Sequence, residues 1–293
     1  MNERPKITQE MIDLYDDYTH LTLDRRGFMQ KLSRLAGSGA AAAAIMPMIA
    51  SNYAKAEVIA PTDPRIKVED ITFKGDAGDI KGYLARPANA TGKLGSVVVI
   101  HENRGLNPHI KDVARRVAVD GFLALGVDLL SRKGGTPASD DEAAKMFQGI
   151  DRAGLVADAV AAIAYLKGRP DSNGKVGAVG FCFGGGIVNQ MAVASPDLAA
   201  GVAYYGQQPP AAEAAKIKAK LMLHYAGLDT RTNEGIPAYE AALKAAGVSY
   251  QVFVYEGAQH AFNNDTSEAR YDKKSADLAW SRTIEFFKTN LSA

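Results

Sequence analysis

From residue 67 onward the sequence alternates apolar runs of strand length with segments of helical periodicity. The runs are GSVVVIHE, FLALGVDL, KVGAVGF, AAGVAYYG, AKLMLHYAG and SYQVFVYEG. Continuous apolar runs are typical of strands that are buried on both faces of a parallel sheet. Helical segments separate the later runs, at 184–195, 210–218 and 235–246, and SADLAWSRTIEFFKTN closes the chain. The alternation predicts an α/β fold with a mostly parallel central sheet and helices on both faces.

The segments that flank this pattern complete the predicted organisation. Residues 57–66 contain two prolines and are predicted to be a linker, and EDITFKG and DIKGYLARP then form an antiparallel hairpin. After the strand FLALGVDL, a helical stretch is predicted to run to about Leu166. Residues 67–293 are therefore predicted to form one domain. In sheets of this kind, catalytic groups gather at the carboxyl ends of the strands.

The composition excludes several classes of protein. An apolar content of 47% and a charged content of 23% are those of an ordinary globular chain. A net charge of +1, with no basic cluster outside the N-terminal region, argues against nucleic acid as a partner. One cysteine excludes an internal disulfide and a cysteine-rich zinc site. We expect no metal and no organic cofactor.

The only cysteine, Cys182, lies in the sequence GFCFGGG directly after the apolar run KVGAVGF. Gly-x-Cys-x-Gly is the cysteine version of the nucleophile elbow, a sharp strand-to-helix turn that requires glycine on both sides. The helix N-terminus behind the turn lowers the pKa of the thiol, and the backbone N–H of Phe183 is placed to stabilise an oxyanion. The alternative is a free cysteine that is buried as a small apolar residue.

Two further segments supply the partners that a cysteine nucleophile needs. Asp229 follows the strand AKLMLHYAG, and His260 follows the strand SYQVFVYEG. The order nucleophile, acid, histidine is the order of the α/β-hydrolase triad. We therefore predict that Cys182, Asp229 and His260 form a catalytic triad. His224 is the other histidine after Cys182, but it lies inside a strand and is expected to be a hydrogen-bonded core residue.

The motifs HENRGLNPHIKDVARRVA, GFCFGGG, AGLDTRTNEG and GAQHAFNND resemble those of the dienelactone hydrolase family (carboxymethylenebutenolidase-like) of the α/β-hydrolases. The resemblance covers most of residues 67–291. It implies that Glu102 is a carboxylate near the nucleophile that holds the resting thiol protonated, and that the N–H of Asn103 is the second oxyanion donor. For Glu102, an ion pair with Arg104 is the structural alternative.

The resemblance also implies how a substrate carboxylate is held. Family members that cleave dienelactone use two arginines, and Arg132 matches the first of them. Asn264 stands where the second is expected, so the clamp is incomplete unless Arg231 or Arg270 replaces it. An aromatic residue of the substrate pocket is expected at Tyr204 or Tyr205, and we assign it to Tyr205.

The predicted function is hydrolysis of an ester or lactone bond through an acyl-thioester on Cys182. A general esterase or thioesterase for small acyl groups would share the triad and lack the anion specificity, which the missing arginine favours. A binding protein on the same fold would have no need of all three triad residues. A redox or thiol-transfer protein would need a second cysteine or an external partner. A small-molecule substrate is the expected partner.

Residues 1–56 differ from the rest of the chain. Arg25 and Arg26 precede an Ala/Gly-rich run that ends in a small-x-small pattern at residues 54–56. This resembles a twin-arginine export signal, which predicts a periplasmic or secreted protein and export machinery as a partner. The run is too weakly apolar for stable membrane insertion. The alternative is a cytoplasmic protein with a retained amphipathic helix, because Met11, Leu14, Tyr15 and Tyr18 have helical spacing.

Overall fold

The computed structural model describes residues 6–20, 23–52 and 57–292. The described helices are α1 (Gln9–Thr19), α2 (Arg25–Leu35), α3 (Gly39–Ile49), α4 (Pro108–Val119), α5 (Asp140–Met146), α6 (Arg152–Lys167), α7 (Phe183–Ala194), α8 (Thr230–Asn233), α9 (Ile236–Ala245) and α10 (Lys273–Leu291). The strands are β1 (Ile66–Lys74), β2 (Asp79–Pro87), β3 (Leu94–Ile100), β4 (Leu123–Val127), β5 (Ser172–Phe181), β6 (Leu198–Tyr204), β7 (Lys220–Ala226) and β8 (Tyr250–Tyr255).

The strands form one eight-stranded sheet in the order β1-β2-β4-β3-β5-β6-β7-β8. The first two strands pair as the predicted antiparallel hairpin, and β2 also runs antiparallel to β4. All pairs from β4 to β8 are parallel. The predicted mostly parallel sheet is therefore confirmed. Parallel strands end at the same edge, so the loops after β3, β5, β7 and β8 lie together.

Helices cover both faces of the sheet, and the buried side chains form a core on each side. On β3, Val97 and Val99 belong to the cluster under α4 and α10, whereas Val98 and Ile100 belong to the cluster under α6 and α7. Adjacent residues of a strand point to opposite faces. This explains why the central strands are continuously apolar in sequence.

Two predicted helical segments differ in the structure. Residues 210–218 contain a 3-10 helix (Ala211–Lys216) instead of an α-helix, because the backbone is extended on both sides, at Pro210 and at Ile217, and leaves six residues between them. The stretch that was predicted to reach Leu166 is two helices, α5 and α6. Gly149 lies between them with φ +62°, a left-handed conformation that interrupts a helix.

The first three helices pack on one another around nine buried side chains, which are Met11, Leu14, Tyr15, Tyr18, Phe28, Leu32, Ala42, Ile45 and Ile49. They also contact the domain. The hydroxyl of Ser267 donates to the carbonyl of Ile49 at 3.1 Å, and the N–H of Asn52 donates to the carbonyl of Thr266 at 2.7 Å. The amphipathic spacing predicted in this segment corresponds to the buried face of α1.

Within the described ranges, no single helix is long and apolar enough to cross a membrane. The pair α2 and α3 passes the same test by length and composition, but the chain bends by 111° between them. The predicted cleavage pattern at residues 54–56 lies outside the described residues.

Candidate active site

Cys182 lies at the turn between β5 and α7, with φ 53° and ψ −115°. This conformation is strained for a residue with a side chain. The flanking glycines allow it. A Cβ on Gly180 would lie 2.2 Å from the carbonyl oxygen of Gly184, and a Cβ on Gly184 would lie 2.5 Å from the carbonyl oxygens of Ile100 and His101. The turn therefore has the steric geometry of a nucleophile elbow, with Cys182 at the N-terminus of α7.

His260 and Asp229 lie beside this turn, in the loops that follow β8 and β7. The Nδ1 of His260 is 2.5 Å from the Oδ2 of Asp229. The other carboxylate oxygen of Asp229 accepts the N–H of Thr232 at 3.1 Å, so Asp229 also caps α8. His260 is only 6% exposed, and its Nε2 has no hydrogen-bond partner among the described residues. The structure thus brings together the three residues of the predicted triad.

The charges in the site shift the pKa of each of these groups. Burial raises the pKa of the Cys182 thiol, but the imidazoles of His260 and His20 outweigh it and lower the pKa to about 6. Burial lowers the pKa of His260, whereas Asp16, Cys182 and Asp229 raise it, and the net direction is well upward. Burial opposes the ionisation of Asp229, but its hydrogen bond and charge interaction with His260 hold the pKa below its usual range. The lowered pKa of Cys182 and the raised pKa of His260 together favour a pair of thiolate and imidazolium.

The N-terminal helix α1 places a second histidine beside the sulfur. His20, which directly follows α1, has its Nε2 3.5 Å from the Sγ of Cys182. Its ring meets the ring of His260 edge to face, with centroids 4.8 Å apart. The side-chain amide of Asn103 donates to the carbonyl of Thr19 and connects the end of α1 to the loop after β3. The N-terminal segment is therefore part of the wall around Cys182.

Glu102 is buried at the end of β3 and accepts a hydrogen bond of 2.9 Å from the side-chain amide of Asn264. The alternative partner, Arg104, donates instead to the backbone and side-chain oxygens of Asn103. The resemblance implies that Glu102 keeps the resting thiol protonated. The lowered pKa of Cys182 favours the thiolate instead, because two imidazoles adjoin the sulfur while Glu102 is held by Asn264.

Arg132 does not lie in the pocket around Cys182. Its guanidinium is bound to the fully buried carboxylate of Asp158 and to the carbonyl of Gly154, at 2.8 Å, on the side of α6. A weaker ion pair of 3.3 Å joins it to Asp76. The prediction that Arg132 holds a substrate carboxylate does not fit this position, because Nε and Nη2 of its guanidinium already bind the buried carboxylate of Asp158.

Other arginines do reach the site, and two of them are near the same acid. Arg231 lines the pocket, and Arg270 lies under the N-terminal segment with a 6% exposed side chain. Both are near the carboxylate of Asp16 on α1, at 3.4 Å for Arg231 and 3.8 Å for Arg270. Arg231 and Arg270 are therefore near an acid of the same chain, whereas a third arginine of the pocket, Arg152, has its guanidinium 5.8 Å from the centre of the Phe183 ring.

A pocket of about 450 Å³ opens over Cys182. Its lining includes the predicted residues Phe183, Asn103 and Tyr205, together with His20, His260, Arg231, Phe147 and Arg152. Tyr205 stands over His260, with ring centroids 4.9 Å apart, whereas Tyr204 is a core residue whose hydroxyl bonds Thr283. His224, as expected, is a buried strand residue, and its imidazole is hydrogen-bonded to Tyr255 and Thr283.

Three side chains of metal-binding type meet in this pocket. The ligand atoms of His20, Cys182 and His260 all lie within 4.8 Å of one another. No sequence motif indicates this cluster, because His20 is 162 positions away from Cys182 in the chain and belongs to no motif. Asp16 is likewise not indicated by any motif. The amphipathic spacing of α1 predicted that the helix packs on the domain, but not where.

The sheet order, the elbow after β5 and the strand-end positions of the acid and the histidine define an α/β-hydrolase. Residues 80–291 match the sequence profile of the dienelactone hydrolase family. The chain belongs to that family, and it is accordingly a hydrolase that acts on ester or lactone bonds.

Known relatives agree with this assignment. The chain is 32% identical over 248 residues to a "Putative carboxymethylenebutenolidase" of Synechocystis, a match that covers 77% of this chain and 98% of that protein. It is 47% identical over 112 residues to a "Putative hydrolase fragment" of Escherichia coli, covering 38% of this chain and 96% of the fragment. A "Putative Dienelactone Hydrolase" of Klebsiella pneumoniae has a similar structure, with 28% identity and a TM-score of 0.69 over 76% of this chain and 98% of that one.

The N-terminal segment has a similarity of its own. A second profile, described as YqhI-like, matches residues 2–38, a range that includes α1, His20 and α2.

Proposed function

We propose that the protein hydrolyses a small carboxylic ester or lactone through a covalent thioester on Cys182, with His260 and Asp229 as the other members of a catalytic triad. One observation carries the proposal. The sulfur of Cys182 stands on a strained elbow beside a buried imidazole, and the far nitrogen of that imidazole is 2.5 Å from the carboxylate of Asp229. This is the arrangement of nucleophile, base and orienting acid that acyl transfer requires.

In the first step the thiolate of Cys182 attacks the carbonyl carbon, and the carbonyl oxygen becomes an oxyanion. Phe183 is the first residue of α7, so its N–H has no partner within the helix and is available to the oxyanion. The N–H of Asn103, in the turn after β3, is the second donor. His260, as imidazolium, gives its proton to the leaving alkoxide, and the thioester remains on Cys182.

In the second step water attacks the thioester. His260, now neutral, takes a proton from the water, and the hydroxide adds to the acyl carbon. Collapse of the tetrahedral intermediate breaks the C–S bond and releases the carboxylic acid, and Cys182 leaves as a thiolate. Asp229 holds the imidazole with Nε2 toward the sulfur and stabilises the cation in both steps.

For the substrate, the pocket favours a neutral ester over a lactone that carries a carboxylate. Arg132 is bound to Asp158, and Asn264 replaces the second arginine of the clamp. Of the arginines around the site, Arg231 and Arg270 are near Asp16, and Arg152 contacts the ring of Phe183. A general esterase or thioesterase for small acyl groups is therefore the second candidate. The incomplete clamp, with Arg132 bound to Asp158 and a neutral Asn264, is the observation that supports it.

The test is a hydrolysis assay with an aryl acetate and a dienelactone, run on wild type, Cys182→Ala and Cys182→Ser. We expect loss of activity to background in Cys182→Ala, because no other thiol exists in the chain. Acid quench during turnover, followed by mass spectrometry, is expected to show one acyl group on the peptide that contains Cys182. Faster turnover of the aryl acetate supports the general esterase, and faster turnover of the lactone supports a dienelactone hydrolase activity.

Melting temperatures of the two variants control for misfolding. Activity that survives in a folded Cys182→Ala variant contradicts the covalent mechanism. A binding protein on the same fold would hydrolyse neither substrate, and a ligand that raises its melting temperature would identify that case.

We also propose that residues 1–56 contain an export address. Arg25 and Arg26 are exposed at the start of α2, although the guanidinium of Arg25 is ion-paired with Asp141, a contact that a receptor must replace. Intact mass of protein from the periplasm tests this: a mass that lacks residues 1–56 supports cleavage, and a full-length mass contradicts it. Cleavage would also remove His20 from the site, so the two forms are expected to differ in activity.

A further inference from the structure

We propose that His20, Cys182 and His260 form a binding site for one zinc ion, and that the zinc-bound enzyme is inactive. Thiolate sulfur and imidazole nitrogen are the ligands that zinc prefers, and two histidines with one cysteine leave a fourth position for water. The proposal goes beyond the hydrolase function, because metal binding requires only these side chains and no substrate.

The geometry of the three ligand atoms suits a single ion. They lie within 4.8 Å of one another. In a tetrahedral zinc site the ligand atoms are about 3.3–3.6 Å apart, so small side-chain rotations close the site. His260 is 6% exposed, and its Nε2, which faces the other two ligands, has no hydrogen-bond partner in the described part of the chain.

The second nitrogen of each imidazole is already held as in known zinc sites. The Nδ1 of His260 is 2.5 Å from the carboxylate of Asp229, and the Nδ1 of His20 donates to the backbone carbonyl of Asp16 at 2.8 Å. Zinc-binding histidines use their other ring nitrogen in this way, toward a carboxylate or a carbonyl, which fixes the tautomer that presents Nε2 to the metal. Both histidines are thus oriented as ligands.

One hydrogen bond in the structure competes with zinc for a ligand atom. The guanidinium of Arg231 donates to the Nε2 of His20 at 2.8 Å and must leave before His20 binds zinc. The side chain of Arg231 is 50% exposed, so it can rotate into solvent. Its positive charge also disfavours a cation at this place. Replacement of Arg231 is therefore expected to increase the affinity for zinc, whereas replacement of a ligand is expected to decrease it.

Binding displaces one proton. In the thiolate–imidazolium form, the imidazolium of His260 releases its proton to solvent, and its Nε2 lone pair and the thiolate both bind the ion. The nucleophile and the base are then both used as ligands, so no attack on a carbonyl takes place. Removal of zinc by a chelator restores both groups, because no covalent bond to carbon or oxygen has formed.

The experiment uses the full-length protein, because a form without residues 1–56 lacks His20 and therefore the zinc site. Two metals are used. Cobalt(II) is the spectroscopic probe, because a thiolate–cobalt bond gives an intense charge-transfer band in the near ultraviolet, and zinc chloride is titrated by calorimetry. For wild type we expect calorimetry to show one zinc site. We also expect the thiolate–cobalt band in the spectrum, and we expect the band to disappear when zinc is added. We expect zinc affinity to fall about tenfold or more in His20→Ala, to be abolished in Cys182→Ala, and to rise in Arg231→Gln.

His20→Gln serves as a second variant, because it keeps a side chain between α1 and Cys182 if His20→Ala loosens the helix. Absence of saturable zinc binding in wild type, or equal affinity in wild type and both His20 variants, overturns the proposal. These readouts contain no substrate, so they are independent of the hydrolase proposal. Where the protein hydrolyses an aryl acetate, zinc is expected to inhibit it reversibly, and a chelator is expected to restore the rate.

Discussion

The side-chain amide of Asn264 donates a hydrogen bond of 2.9 Å to the carboxylate of Glu102, and both residues are buried. The carbonyl oxygen of the same amide accepts the N–H and the hydroxyl of Thr266. Asn264 therefore joins the end of β3 to the loop that carries His260. At the position where the family resemblance implies a cation for substrate, this chain has a neutral group that holds its own acid.

We expect Asn264→Leu to reduce both stability and activity. The change leaves the carboxylate of Glu102 and the N–H of Thr266 buried without partners, at a cost of about 1–3 kcal/mol for each group. It also frees Glu102 to move beside the sulfur, so kcat/KM for an aryl acetate is expected to fall in the folded protein. Thermal melting and steady-state kinetics measure the two effects.

Asn173→Leu is the matched control for this change. The amide of Asn173 also donates to a carbonyl, that of Leu291, and accepts a backbone N–H, that of Lys175, but it lies at the opposite end of β5. The control is expected to lower the melting temperature and leave kcat/KM of the folded protein unchanged. An equal loss of kcat/KM in both variants contradicts a specific role of Asn264.

Arg132→Ala is expected to destabilise the fold and to leave substrate selectivity unchanged. The change leaves the carboxylate of Asp158, which is 0% exposed, without its cation, and an unpaired buried charge costs about 3 kcal/mol or more. Urea unfolding measures the loss, with the exposed neighbour Lys133→Ala as the control. A rise in KM for a carboxylate-bearing lactone, with KM for a neutral ester unchanged, contradicts a purely structural role of Arg132 and supports a role in binding the substrate carboxylate.

The sequence was sufficient to predict the parts of the fold and site that depend on local pattern. The continuous apolar runs predicted buried parallel strands, and the structure confirms this for β3 to β7. The last run forms the edge strand β8, which is parallel but half exposed, because it has a neighbouring strand on one side only. The turn around Cys182 requires glycine at fixed positions, so a short motif specifies it. Asp229 and His260 could be proposed because strand ends in a parallel sheet meet at one edge. Each of these inferences needs only neighbouring residues and the topology of the sheet.

The rest depends on contacts between distant segments, which no local pattern reveals. The spacing of Met11, Leu14 and Tyr15 predicts a buried helix face but not that the following His20 reaches the sulfur. The motif position of Arg132 predicts a ligand for substrate, whereas the buried carboxylate of Asp158 on α6 binds its guanidinium in the structure. The hydrogen bond from Asn264 to Glu102 could not be predicted either, because an amide can bond to many kinds of group and only the fold places Glu102 beside it.

The ionisation of Cys182 gives a prediction that needs no substrate. Its pKa of about 6 lies below the ordinary thiol value of about 8.5. Alkylation by iodoacetamide requires the thiolate, so the rate is expected to be level above this pKa and to fall about tenfold per pH unit below it. His260→Gln removes the main interaction that favours the thiolate, and the midpoint is expected to move upward toward the ordinary value. Urea-unfolded protein is the reference, and equal midpoints in the folded and unfolded protein contradict the prediction.

Asp229→Asn tests the orientation of His260. An amide in place of the carboxylate removes the acceptor that fixes the imidazole tautomer and the charge that stabilises its cation. By analogy with other triads, kcat is expected to fall about 10³- to 10⁴-fold. Asp229 also caps α8 through Thr232, so melting temperature is measured in parallel. The exposed residue Asp197 provides the control, as Asp197→Asn. A folded Asp229→Asn variant with near wild-type kcat excludes Asp229 from the triad.

Gly184→Ala tests the elbow itself. A Cβ at this position would lie 2.5 Å from two backbone carbonyl oxygens at the end of β3, and backbone atoms cannot move aside as a flexible side chain can. The turn must therefore open, and we expect a large loss of stability together with loss of Cys182 reactivity.

Gly186→Ala, two residues further into α7, is the matched control. Its nearest neighbour would be 3.6 Å away, an ordinary contact, and alanine is favoured over glycine in a helix by about 1 kcal/mol. We expect Gly184→Ala to lower the melting temperature and Gly186→Ala to raise it. An unchanged melting temperature in Gly184→Ala contradicts the close approach of α7 to β3.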